Sequence, residues 1–275
     1  MKTTKLELDV QKFVQSLKAE TSTSERVKIC ANTKKELLKN HTPASAKTYL
    51  TSYRKGLVNG IGENKHLLSF LKIPKAKSEK IKNDYRKEIQ KRTETNDLHT
   101  IPNPSELIDF AKELIKGESY LKVGLGLMLL TGRRTTEILK TAIFHKVENK
   151  VFEVVFEGQT KKGDGVNLPY KIPILAPAKE ITKALEFIRK ERDFALLTNS
   201  QVNTKTANSL NEYTKQLFNI WLGIDCTPHD LRKAYIALAY KQSDKKESFR
   251  GFAEKFLGHS ENSELTTETY FKYTI

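Results

Sequence analysis

The 275-residue chain carries 48 Lys and Arg against 33 Asp and Glu, a formal net charge of +15. That excess points to a polyanionic partner, nucleic acid before an anionic membrane surface, and no run of about 18 apolar residues is present to span a bilayer. Two cysteines far apart in sequence, Cys30 and Cys226, argue against a disulfide framework or a zinc knuckle and fit a reducing compartment.

The N-terminal stretch "MKTTKLELDVQKF" lacks the apolar segment of a secretion signal. Residues 1–95 read as a helical, basic domain. Within it, "TPASAKTYLTSYRKGLVNGIG" (42–62) predicts a helix with Thr42 as cap, Pro43 in the first turn and glycines at its end. Residues 75–92 predict a second helix with eight Lys/Arg against three Asp/Glu, either a solvated face or a stripe that follows a DNA backbone. A non-periodic stretch with two prolines, 93–106, holds the expected linker, 96–104, and residues 105–275 form the second domain.

That domain opens with "SELIDFAKELIKG" (105–117), an amphipathic helix with Ser105 as its expected cap. "SYLKVGLGLMLL" (119–130) is nearly all apolar and predicts a buried helix that presents Thr131-Gly132-Arg133-Arg134 at its end. A further helix is expected from Thr135, over 135–143. The period then changes: 150–159 and 166–175 are β-rich and flank "TKKGDG" (160–165), a turn signal that predicts a hairpin with two lysines near its tip. Helices are expected over 178–197, 208–223, 227–242 (Thr227 as cap, Pro228 in the first turn) and 248–260, with a last short helix at the chain end. The fold class is mainly α with a small antiparallel β-hairpin or sheet.

No HxH, HExxH, CxxC or DxD cluster stands out as a metal site. Metal-free phosphodiester chemistry has three needs: fixed cations on the phosphoryl oxygens, a nucleophile, and an acid for the leaving 5′ oxygen. Arginine meets the first, because its planar fork binds two phosphate oxygens and keeps its charge near neutral pH. Arg134 and Arg232 are the candidates, with His229 three residues before Arg232 on one helix face and His259 in "LGHS" as further donors. Tyrosine meets the second, since clustered arginines favour phenolate; Tyr270 is the candidate and Tyr273 its competitor. Lysine meets the third, and Lys161 sits near the hairpin tip beside Lys162. Any one of these residues, taken alone, is more often structural or solvated than catalytic.

In chain order, "TGRR" (131–134), "GQTK" (158–161), "HDLR" (229–232), "LGH" (257–259) and Tyr270 resemble the tyrosine recombinase set. "TGRRTTEIL", "FEGQTKKGDG" running into "PYKIPIL", and the eleven-residue step from His259 to Tyr270 are closer to one branch, the telomere resolvases or protelomerases. "SAKTYLTSYRKGL" (45–57) is similar to that branch's DNA-binding helical region, so the resemblance covers roughly residues 40–275. It implies a helical DNA-binding domain followed by a tyrosine-recombinase-like catalytic domain. It also implies that Arg134 rather than Arg133 holds the scissile phosphate, with Arg133 meeting flanking backbone or an acidic residue. Lys161 would be the general acid, His229, Arg232 and His259 would complete the phosphate cradle, and Tyr270 would form a 3′-phosphotyrosine. No cofactor and no metal are implied. The expected partners are double-stranded DNA with an inverted repeat and a second protomer on it, the short stretch after Tyr270 favouring a dimer, with no membrane and a cytoplasmic location in a bacterial, phage or plasmid setting. Integrase-type exchange between two duplexes, with a type IB topoisomerase as a distant variant, and an inactive DNA-binding scaffold are the alternatives.

Overall fold

The computed structural model describes residues 5–94, 98–160, 168–258, 270 and 272–275. The chain divides into two compact units, Met1–Glu88 and Ile89–Ile275.

The first unit is helical: α1 (Lys5–Ala19), α2 (Thr23–Asn40), α3 (Pro43–Ile61), α4 (Lys65–Phe70) and α5 (Lys75–Glu94), the last running across the boundary between units. Each start has a local cause. Ser22, Thr42 and Asn64 accept backbone N–H groups of the first turns of α2, α3 and α4, donors that a helix cannot satisfy by itself. Phe13, Leu17, Cys30, Leu50, Tyr53, Leu57, Leu67 and Leu71 form the core. α1 and α3 approach closely because Gly56 and Gly60 face Val10 and Val14; a Cβ at either glycine would lie 2.3 Å from a valine methyl.

The second unit is built around α7 (Tyr120–Thr131), which is apolar and buried on all sides from Val123 to Leu130. It packs against α6 (Pro104–Leu114), α8 (Ala178–Glu191), α9 (Asn199–Leu222) and α10 (Pro228–Gln242). A three-stranded antiparallel sheet, β2 (Ile143–Lys146), β3 (Glu153–Glu157) and β4 (Tyr170–Pro173), lies in the order β2-β3-β4. Val154 pairs with Ile172 and Phe144 with Phe156, and all four are buried, the two-residue period of a half-buried sheet. α11 (Phe249–Leu257) follows, and β5 (Tyr273–Thr274) pairs in parallel with β1 (His99–Thr100).

Four local expectations give way to different structure. α6 starts at Pro104 after Asn103 in a left-handed conformation (φ 47°), so Ser105 is inside the helix and not its cap. The helix expected from Thr135 becomes one π-helical turn, Glu137–Thr141. Ala142 N donates to Glu137 O at 2.7 Å, and Arg189 Nη1 donates to Ile138 O at 2.8 Å, so the chain leaves helical geometry satisfied and enters β2. α8 ends at Glu191, well before 197, whereas α9 starts earlier than expected, at Asn199, where Thr198 accepts the N–H of Gln201. Where the chain end was expected to be helical, Tyr273–Thr274 is a strand, because His99 and Ile101 N–H groups donate to Lys272 O and Thr274 O. The expected linker thus contains a strand. Among the described residues, no helix is long and apolar enough to cross a membrane.

Candidate functional site

α7 ends at Gly132, which takes a left-handed conformation (φ 67°, ψ 17°) and caps the helix by donating to Met128 O. The turn leaves Arg133 and Arg134 pointing to different partners. Arg133 is fully buried. Its Nε donates to Thr131 O at 3.1 Å, its Nη1 to the Tyr170 hydroxyl at 2.6 Å and its Nη2 to Phe256 O, while the guanidinium lies 4.6 Å from the Phe156 ring centroid. It ties the turn to β4 and α11, meeting backbone as expected and a tyrosine that was not.

Arg134 keeps 16% of its side chain exposed and pairs with Glu137, Nη1 to Oε1 at 2.7 Å, while its backbone N–H donates to Oε2 at 2.9 Å. Glu137 is fully buried. Burial alone would raise its pKa, yet the charges of Arg232, Arg133 and Arg134 hold it down at about 2. Three guanidiniums from two remote segments therefore act on one carboxylate. Glu137 was not among the residues singled out from sequence; its signal was its position three residues after Arg134, one helical turn away.

Arg232 is fully buried in the first half of α10. Its Nε donates to the Tyr270 phenol oxygen at 3.1 Å, Nη1 donates to Gly132 O and Nη2 to Leu257 O at 2.8 Å. Burial pushes its pKa down to about 10, still far above neutrality. Tyr270 is 2% exposed, and its ring also lies 5.4 Å from that of His229. Tyr273 is equally buried, but its hydroxyl donates to Leu222 O at 3.2 Å, away from the arginines, and burial together with Asp230 raises its pKa well above the ordinary phenol range. The competitor tyrosine thus sits outside the arginine cluster.

His229, in the first turn of α10, keeps part of its surface exposed while its ring is crowded by the Tyr270 ring 5.4 Å away. Its pKa is lowered to about 4, first by the packing around the ring and then by the Lys233 and Arg232 charges. The sign of the consequence follows from linkage. The unfolded chain binds a proton at this residue near the ordinary pH of about 6.5 and the folded chain does not until about pH 4, so stability falls as pH drops through that window and is flat above it. Urea unfolding at pH 7.5 and pH 5 is expected to show a smaller loss on acidification for His229→Gln than for the unsubstituted protein; equal losses would contradict the shift.

Lys161, Lys162 and His259 lie outside the described residues. Their chain neighbours reach the cluster. Thr160 donates to Glu137 Oε1 through both its N–H and its hydroxyl at 3.2 Å. Gln159 Nε2 donates to Gly258 O at 2.7 Å. Of the six residues singled out from sequence, the structure brings Arg134, Arg232, His229 and Tyr270 around one point. Among the described residues, no group of three or more His, Cys, Asp or Glu side chains could hold a metal ion.

The fold that carries this cluster has counterparts in solved structures. The whole chain superposes on the protelomerase TelA covalently complexed with substrate DNA, with a TM-score of 0.83 and 20% identity over 90% of that chain. A TelA variant complexed with a DNA hairpin product gives 0.84 and 19% over 89%, and protelomerase TelK complexed with substrate DNA gives 0.59 and 18%, covering 97% of this chain and 57% of that one. The fold is that of the protelomerases. The telomere resolvase ResT of Borreliella burgdorferi is 24% identical over 203 residues, 73% of this chain and 43% of that protein, so the chain spans less than half the length of this relative. Residues 97–273 match the telomere resolvase ResT/TelK catalytic domain, and the chain belongs to that family.

Proposed function

We propose that this chain cleaves and rejoins DNA strands through a 3′-phosphotyrosine at Tyr270 and so converts inverted-repeat replicated telomeres into hairpin ends. The observation that carries the reading is the Arg134 ion pair with the buried Glu137 carboxylate at 2.7 Å, near Arg232, whose charge also lowers the Glu137 pKa and whose Nε donates to the Tyr270 phenol at 3.1 Å. A site where one guanidinium pairs with an anion and a second lowers that anion's pKa is suited to a phosphate.

In the proposed cycle, Arg134 exchanges Glu137 for the scissile phosphate. The Tyr270 oxygen attacks phosphorus, its proton passing toward the neutral His229 or solvent, and the 5′ oxygen leaves with a proton from the general acid, Lys161 in this reading. His259 completes the phosphate cradle. Two protomers cut the two strands of the repeat with a stagger, and each 5′ hydroxyl then attacks the phosphotyrosine of the opposite strand on its own side. The phosphodiester energy is kept in the covalent link, so the cycle needs no nucleotide. The first unit, basic and helical, grips the flanking backbone in this account. Binding is expected to weaken steeply with salt, log K falling by roughly 0.9 per phosphate neutralised with log salt. The titration is fluorescence anisotropy on a repeat duplex, and salt-indifferent binding would contradict a backbone-dominated grip.

Function is tested by incubating the protein with a replicated inverted-repeat junction and resolving the products on denaturing gels. Products that snap back after heating are expected. Products that remain separable single strands would contradict hairpin formation, and joints between two labelled duplexes would assign the chain to exchange instead.

A further inference from the structure

The chain end that carries Tyr270 is fastened to the first turn of α10 by an ion pair that the cycle above does not use. Lys272 Nζ lies 2.9 Å from Asp230 Oδ1; the lysine side chain is 40% exposed and the carboxylate 4%. Asp230 is itself fixed. Its Oδ2 accepts the N–H of Thr227 at 2.9 Å and the Thr227 hydroxyl at 2.8 Å, and Lys233 Nζ lies 3.0 Å from Oδ1.

These contacts close a ring. Asp230 sits between His229 and Arg232 on α10, Arg232 Nε reaches the Tyr270 phenol, the Lys272 N–H donates to Tyr270 O at 2.9 Å, and the Lys272 ammonium returns to Asp230. The far side of Lys272 is anchored separately, its carbonyl accepting the His99 N–H at 3.0 Å while the Tyr273 hydroxyl donates to Leu222 O at 3.2 Å. The strand β5 and the Tyr273 hydroxyl already tie the segment to the body of the unit. Without Lys272 the buried Asp230 carboxylate still keeps Thr227 and Lys233, so it is not left as an unpaired buried charge. What Lys272 adds is a fixed distance between the segment and the helix that carries the arginine.

We propose that Lys272 is a positioning residue: its pairing with Asp230 sets the Tyr270 phenol against the α10 start so that the oxygen stays behind the phosphorus held by the arginines. The proposal rests on Tyr270 being the nucleophile. Placement errors of about 1 Å at a reacting atom cost about a hundredfold in rate, so loss of a single tether is expected to act on the chemical step and not on affinity.

The experiment uses the full chain on a nicked suicide duplex, with single-turnover cleavage, anisotropy binding and thermal unfolding measured in parallel. Lys272→Met is expected to slow adduct formation about 10- to 100-fold with DNA affinity within about twofold of the unsubstituted protein and an unfolding midpoint close to it. Lys272→Arg, which keeps the charge, is expected to recover most of the rate. A Lys272→Met protein that cleaves at the unsubstituted rate overturns the proposal. So does one whose affinity falls while bound DNA is cut normally, since that would make Lys272 a DNA contact, and so does one that unfolds at the assay temperature, since that would make it a stability residue. An unsubstituted protein that forms no adduct at all defeats the Tyr270 reading itself and the proposal with it.

Discussion

Arg232→Lys is expected to slow single-turnover strand cleavage by about 10³-fold, the scale seen when one fixed donor to a developing negative charge is removed. Lysine keeps the charge but not the fork. Arg232 reaches Tyr270, Gly132 O and Leu257 O at once from three nitrogens, and a single ammonium on a different stem cannot serve all three. The effect extends to folding. Arg232 is fully buried, and the Gly132 and Leu257 carbonyls would lose a donor. A buried acceptor left without a donor costs about 1–3 kcal/mol, so a loss of about 2–4 kcal/mol in urea unfolding is expected. Cleavage within tenfold of the unsubstituted rate would remove Arg232 from the proposed phosphate cradle.

Gly132→Ala has the next largest expected effect, and it acts mainly on stability. A Cβ at Gly132 would lie 2.1 Å from the ring of Tyr235, a fully buried side chain whose hydroxyl donates to Pro173 O at 2.6 Å. The ring cannot retreat without losing that bond. The left-handed conformation adds about 1–2 kcal/mol for any residue with a Cβ, and forced overpacking adds about 1–3 kcal/mol, so a total of about 2–5 kcal/mol is expected from urea unfolding. Gly62→Ala separates the two causes. Gly62 also has positive φ (86°), but nothing lies within 4 Å of the added Cβ, and only the conformational part, about 1–2 kcal/mol, is expected there. Equal losses at the two positions would remove the clash with Tyr235 from the account. Gly132→Ala also shifts Gly132 O, which accepts from Arg232, and the two arginines that follow, so cleavage is expected to fall in whatever fraction remains folded.

The sequence made legible those parts whose chemistry is local. Thr42-Pro43 and Thr227-Pro228 announce the starts of α3 and α10, and the apolar run of α7 announces a buried helix, because capping and burial are written in adjacent residues. The ordered motifs point to one site of Arg134, Lys161, His229, Arg232, His259 and Tyr270, of which Lys161 and His259 lie outside the described residues. What escaped depends on partners far along the chain. The π-helical turn needs Arg189 to satisfy Ile138 O. β5 exists because its partner strand lies 174 residues earlier in the register that joins His99 to Tyr273. The role of Glu137 is visible only once the charges of Arg133 and Arg232 are seen to act on it beside its ion pair with Arg134. Asp230 read from sequence as a helix-start acid, which it is, but its pairing with Lys272 spans 42 positions and carries no local signal.

In the proposed enzyme one phenol oxygen, that of Tyr270, is set behind a phosphorus gripped by guanidiniums of two remote segments. The most direct measurement is to trap the protein on a nicked suicide duplex, digest the complex and locate the DNA-linked residue by mass spectrometry. A single nucleotide-bearing peptide modified at Tyr270 is expected, with no linkage in Tyr270→Phe. A linkage at Tyr273 or any other residue, or an adduct that persists in Tyr270→Phe, would contradict it.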